Sequence, residues 1–279
     1  MYKTKLCLGV SGSFGTEVKE QIKLIKDAGF DAFFIEWNKD LDLNDIKAYA
    51  DELGIDIQSI HAPFDKSAQM WTEDAEEAVS ELLECVEACH KASVPIIVLH
   101  AIIGFDKFEP NDIGVENFAK VVRLAKQYGI KAAFENTEGE MYLEKLMNAF
   151  KDEENVGFCW DSGHEQCYNK SKDMLALYGD RLISTHLNDN LGISSFDGSI
   201  FWTDDLHLLP FDGVIDWQDA AKRLNKCGYN DILTFELSKL SKPNRHENDK
   251  YEKMPIEEYI AECYNRACRV AYIKNIFNK

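Results

Sequence analysis

VENFAKVVRLAKQYGIKAAFENTEGEMYLEKLMNAFKDEENVGFCWD, residues 115–161, contains two rounds of the alternation on which the fold depends. In VENFAKVVRLAKQYG apolar residues recur three and four apart and the run ends on Gly129, as in a helix with one buried face and a glycine stop. KAAFENT from Lys131 is short and β-rich, YLEKLMNAF returns to helical spacing, and VGFCWD from Val156 reads as a strand again.

The same alternation extends in both directions. Strand candidates are KLCLGVS from Lys5, AFFIEW from Ala32, DIQSIHA from Asp56, PIIVLHA from Pro95, LISTHLN from Leu182 and ILTFELS from Ile232, which brings the total to eight. Between them lie EVKEQIKLIKDAG, DLNDIKAYADELG and DAEEAVSELLECVEACHKA, again with helical spacing. Eight such units in 279 residues predict a single (β/α)8 TIM barrel over residues 1–279, with its active site at the C-terminal ends of the strands. A doubly wound sheet needs fewer strands and usually a Gly-rich first turn. GVSGSFG after the first strand matches neither GxGxxG nor a P-loop. Two connections are long: Asp189 to Val214 after the seventh strand, and KLSKPNRHENDKYEKMP between the eighth and the final helix PIEEYIAECYNRACRVAYIKNIFNK. A long excursion at the active end of a barrel is expected to be functional.

Lys plus Arg number 31 against 49 Asp plus Glu, a formal net charge of -18. That field disfavours a nucleic-acid partner and favours metal cations, although a few ions in one pocket could reverse the sign locally. No apolar run approaches the length of a membrane span, so a soluble, cytoplasmic protein is expected. The eight cysteines show no CxxC pair; Cys85 and Cys89, four apart on a helix, suit a buried stripe, and reduced structural thiols are expected.

In a barrel, polar residues at strand ends converge although they are distant in sequence. Strand three ends at His61, four at His100, five at Glu135, six at Asp161 followed by His164, seven at His186, and eight reaches Glu236. The long seventh loop adds Asp205 and His207. Each alone could be a packed histidine or a helix-capping acid, but nine together, including five of the seven histidines, indicate a metal site. His90 and His246 fall off the rim and are assigned surface or packing roles. Glu36, Trp37, Asn188 and Trp202 are candidate substrate contacts, with Trp37 equally well placed as a structural plug.

SIHAPF, VLH, FENTEG, WDSGH, THLNDN, DLHLLPFDGVIDW and TFEL, in that order after successive strands, resemble the xylose isomerase-like barrels. That superfamily includes sugar phosphate isomerases and epimerases as well as endonuclease IV-type abasic-site nucleases. The resemblance covers nearly the whole chain. It implies a central metal held by Glu135, Asp161, His186 and Glu236. Similarity to the nucleases implies a second ion held by His61, His100 and the bridging Glu135, and a third held by His164, Asp205 and His207. One to three divalent ions, Zn or Mn foremost, are therefore expected.

An isomerase or epimerase would use such an ion to stabilise the charge formed when the carbon beside a carbonyl loses its proton, with Glu135 and Glu236 as base and acid and His164 as a further catalytic group. The substrate would be a small sugar, sugar phosphate or polyol. The related epimerases usually carry an Arg soon after the seventh-strand histidine; HLNDNLG has none, and no cation for a phosphorylated substrate is identifiable in the sequence. The alternative is a multinuclear-zinc phosphodiester hydrolase, which the ligand count favours and the charge opposes. NKDLDLND and DKSAQMWTEDAEEA lack the Arg, Tyr and Leu with which a nuclease grips a duplex. A metal-dependent sugar dehydratase and a non-catalytic metal- or sugar-binding protein are further alternatives. A homo-oligomer is expected by family analogy alone.

Overall fold

The computed structural model describes residues 4–105 and 109–277. Its strands are β1 Leu6–Gly9, β2 Ala32–Glu36, β3 Asp56–His61, β4 Ile96–His100, β5 Lys131–Glu135, β6 Val156–Asp161, β7 Leu182–His186 and β8 Leu233–Phe235. All neighbours are parallel, in the order β7-β6-β5-β4-β3-β2-β1-β8. The two outer strands meet at Leu187, whose N–H donates to Thr234 O at 2.8 Å and whose carbonyl accepts from Glu236 N at 3.3 Å. A strand order that follows the chain and closes on itself is a (β/α)8 barrel; a doubly wound sheet would reverse order part-way.

The outer helices are α1 Val18–Ala28, α2 Leu43–Leu53, α3 Glu76–Lys91, α4 Asp112–Gln127 and α5 Glu140–Ala149, then the short α6 Ser162–Cys167 and α7 Met174–Tyr178, α8 Trp217–Lys226, the short α9 Asp249–Glu252, and α10 Ile256–Ile276. The last two residues of the expected final helix, 278–279, lie outside the described residues. Local signals start these helices: Asp42 accepts from the Asn44 and Asp45 amides, Asn111 from Gly114, and Asp216 from Gln218 and Asp219. Cys85 and Cys89 are fully buried on one face of α3. Among the described residues, no helix is long and apolar enough to cross a membrane.

Strand side chains alternate between two sides with a period of two, and this parity positions the site. Phe33 and Ile35 of β2, Ile97 and Leu99 of β4, Ala132 and Phe134 of β5, and Phe158 and Trp160 of β6 join the large core between strands and helices. Their neighbours Ala32 and Phe34, Ile96 and Val98, Ala133, and Cys159 form small separate clusters inside the barrel. One step further along the inner parity, at the C-terminal rim, stand Glu36, His100, Glu135 and Asp161. Trp37 has the opposite parity and is buried in the outer core.

Candidate metal centre

Glu135, fully buried at the end of β5, is the hub. Its Oε1 lies 3.1 Å from His186 Nδ1 and 3.3 Å from His164 Nδ1, and its Oε2 lies 3.5 Å from His61 Nε2 and 3.4 Å from His100 Nε2. His61 Nε2 and His100 Nε2 are 3.1 Å apart, so these two nitrogens and Glu135 Oε2 form a nearly equilateral triangle. Ligands about 2.0–2.1 Å from a tetrahedral ion stand roughly 3.3–3.4 Å apart, so the edges suit one small divalent cation. Glu135, Asp161, His186 and Glu236 form a second group, and His164, Asp205 and His207 a third, each with ligand atoms within 4.8 Å of one another. All nine expected ligand side chains therefore meet at one end of the barrel.

The surrounding residues orient these ligands. His61 Nδ1 faces Ala62 O at 2.8 Å, His164 Nδ1 faces Asn136 O at 3.1 Å, and His207 Nδ1 faces Glu236 O at 3.2 Å. Each carbonyl accepts from Nδ1–H and thereby leaves the Nε2 lone pair directed into the cluster, as a metal ligand requires. Asp161 is both cap and cluster member: Oδ1 accepts from the His164 amide at 2.6 Å, starting α6, and Oδ2 accepts from Asn188 Nδ2 at 2.8 Å. Buried Glu135 Oε2 and Asp205 Oδ1 accept no hydrogen bond. Carboxylate oxygens so placed, opposite imidazole lone pairs, fit a divalent cation.

Without a cation the groups compensate one another. Burial works against charge on His186 and His164, but around His186 the neighbouring Cys159 sulfur and the Glu135 and Glu236 carboxylates, and around His164 the Asp161 and Asp205 charges, outweigh it and hold both imidazoles well above their ordinary pKa. His207 is raised to about 9 against the pull of burial, chiefly by Asp205 and Glu236. Burial alone would raise Glu135 and Asp205, yet His186, His100 and His164 hold the first, and His207 and His164 the second, well below the carboxylate range. Asp161 goes the other way, raised to about 6 by burial and by Glu135.

The long seventh connection is a built structure. Asp189 is fully buried; its carboxylate accepts from the Asn190 and Ile215 amides at 2.9 and 3.1 Å, from the Phe211 amide at 2.8 Å and from Trp217 Nε1 at 2.9 Å. Its backbone pairs antiparallel with Leu208, so the returning strand passes His207 and Asp205 across the rim. His207 takes a left-handed φ of 47°, a conformation that costs a non-glycine residue energy and is found at functional sites.

Two adjoining cavities open over the cluster, of about 420 Å³ and about 240 Å³. They share His61, Phe64, His207, Glu236 and Lys242; the larger adds Glu138, Tyr168 and Trp202, the smaller Glu36 and Phe34. Of the expected substrate contacts, Glu36 and Trp202 border the cavities, whereas Trp37 borders a separate surface hollow and fully buried Asn188 is occupied with Asp161. His90 stacks on Tyr128 and His246 pairs with Asp249, both away from the rim. Sequence reasoning missed Asn136, which clamps Asp161 through both backbone groups and lies inside the FENTEG run, and Lys242.

A family model described as "Xylose isomerase-like TIM barrel" matches residues 22–255. The chain belongs to that family. The chain is 27% identical to the uncharacterized protein y4fM of Sinorhizobium fredii, over 90% of this chain and 92% of the relative. Among solved structures it resembles a xylose isomerase-like TIM barrel/4-hydroxyphenylpyruvate dioxygenase fusion protein, with TM-score 0.75 and 16% identity over 99% of this chain. The barrel spans only 44% of that fusion's length. It also resembles D-psicose 3-epimerase from Clostridium cellulolyticum H10, with TM-score 0.68 and 16% identity over 98% of this chain and 99% of the other. At these identities the structural likeness concerns the fold.

Proposed function

We propose that this xylose isomerase-like barrel is a divalent-metal-dependent isomerase or epimerase that moves a proton on the carbon beside a carbonyl of a small sugar, sugar phosphate or related polyol. The observation that carries this reading is the pair of carboxylates flanking His186 Nδ1, with Glu135 Oε1 at 3.1 Å and Glu236 Oε2 at 3.3 Å. A stereochemical or positional shift needs one group to take the proton and another to return it. Of this pair, Glu236 borders both cavities and has direct access to a bound molecule, while Glu135 is fully buried beneath them. His164, on the wall of the larger cavity, is the third group able to hold a proton.

One to three zinc or manganese ions would be held by the three groups described above and would supply Lewis-acid polarisation of the carbonyl. Phe64, Tyr168 and Trp202 offer apolar faces to sugar carbons, and Glu36 and Glu138 accept from hydroxyls. The test is solvent deuterium exchange over a panel of ketoses and aldoses. Label should enter the carbon beside the carbonyl, and both Glu236→Gln and Glu135→Gln should abolish it. Phosphate-ester cleavage with no exchange would overturn the reading.

That outcome would favour the second reading, a multinuclear-zinc phosphodiester hydrolase. Its support is the third group, His164, Asp205 and His207, standing beside the other two. Three tightly held zinc ions per chain would strengthen it. Removing the four carboxylate ligands from the charge tally still leaves 45 acids against 31 bases, so a small phosphodiester suits this surface better than DNA.

A further inference from the structure

Lys242 lies in the β8–α9 connection with its ammonium 5.6 Å from the Trp202 ring centroid and 3.4 Å from Asp205 Oδ2. Among the described residues it is the one Lys or Arg bordering either cavity, and it borders both. The loop that carries it is anchored: buried Asn248 donates to the Ser238 and Leu240 carbonyls, and the Asn248 amide donates to Ser241 Oγ at 2.9 Å. Arg245 of the same loop is turned away, engaged with Asp204 and Glu247.

We propose that Lys242 recognises an anionic substituent, a phosphate or carboxylate, on the substrate of this site. The proposal rests on the metal-dependent sugar-enzyme reading and supplies its substrate class. Asp205 does not satisfy the ammonium: its Oδ2 already lies 2.9 Å from His207 Nε2, its Oδ1 faces His164 Nε2 at 3.4 Å, and the lysine contact is as long as the second of these. An ammonium carries three donors, so at least two remain for the cavity. A cation held by His164, Asp205 and His207 would neutralise the Asp205 charge and leave Lys242 as a second positive group close by. With the single Asp205 charge shared between that cation and Lys242, an anion entering the cavity would be attracted by both. The -18 of the whole chain would keep anions away, which makes a local cation necessary for an anionic substrate.

The test titrates inorganic phosphate, and separately the neutral polyol xylitol, into the zinc-loaded full-length chain by calorimetry. Phosphate should bind the parent chain, Lys242→Gln should weaken it about tenfold or more, and Lys242→Arg should restore most of the affinity, because charge-assisted hydrogen bonds are worth that much. Xylitol affinity should fall by a much smaller factor than phosphate affinity, and zinc content should not change. Equal phosphate affinity in the parent and Lys242→Gln, no phosphate binding to the parent, or zinc loss in Lys242→Gln in place of phosphate loss would each overturn the proposal. The exchange assay is independent: label entering a sugar together with unchanged phosphate affinity removes the role of Lys242 alone, and phosphate dependence without exchange removes the isomerase reading alone.

Discussion

The Asn188 side-chain amide donates to Asp161 Oδ2 at 2.8 Å, while Asp161 Oδ1 caps α6, so the aspartate is fixed through both oxygens before any cation arrives. Asn188→Ala should leave the fold intact and lower the affinity of the central group for zinc or manganese by roughly 10–100-fold, the usual effect of removing a group that orients a ligand. A competitive chelator titration measures it; unchanged affinity would show that the amide does not orient Asp161.

Gly163 reaches the same bond from the other side. A Cβ built there would lie 1.9 Å from Asn188 Oδ1, so Gly163→Ala must displace that side chain. Alanine is intrinsically better than glycine in a helix by about 1 kcal/mol, so a loss of metal affinity in this variant is attributable to the clash. The expected result is weakened central metal binding that resembles Asn188→Ala, read by the same chelator competition.

Asp189 should govern the loop rather than the chemistry. Asp189→Ala strands four donors, two buried and two part-buried, with each buried one costing about 1–3 kcal/mol, and should lower the melting temperature by several degrees. Asp189→Asn, which keeps one accepting oxygen, should be milder. In that variant metal analysis should show selective loss from the His164, Asp205 and His207 group, because Asp205 and His207 are the two ligands the loop carries.

The pH dependence of stability should reverse with metal. His207 has a folded pKa of about 9, above the ordinary histidine value, and His61, His164 and His186 are also raised. A raised imidazole pKa stabilises the folded state fully below the unfolded value and stops doing so as pH rises through the folded value. Chelator-stripped protein should therefore lose stability between about pH 6.5 and about 9. Metal binding requires free lone pairs and releases those protons, so zinc-loaded protein should gain stability as pH rises across the same interval. Thermal melts with and without EDTA decide this, and parallel curves would count against metal binding at the imidazoles.

Strand ends were the legible part of the chain. A residue that closes a short apolar run, such as His100 after Ile96–Leu99 or Glu135 after Ala132–Phe134, must face the barrel axis if its second neighbour does, and the resulting cluster follows from parity. Trp37 could have been assigned by the same rule, since it shares parity with Phe33 and Ile35. The role of Asn188 was not legible: an amide beyond a strand end could face substrate or a neighbouring carboxylate, and only the packing of β6 against β7 decides. Lys242 was hidden for a different reason. Its loop contains several lysines, and which of them turns inward depends on anchors at Ser241 and Asn248 that carry no periodic signal.

Glu135 offers one oxygen to the His61 and His100 side and the other to the His186 side. An ion settling on either oxygen would withdraw electron density from its twin and would also freeze the rotamer that a second ion would need. Loading of these two positions would then be thermodynamically linked and depart from a statistical isotherm, with the Asp205 position coupled to them through His164, whose Nδ1 lies 3.3 Å from Glu135 Oε1. The loop-borne position would be the one able to empty with least disturbance to the strand-end ligands, because two of its three ligands, Asp205 and His207, come from the loop.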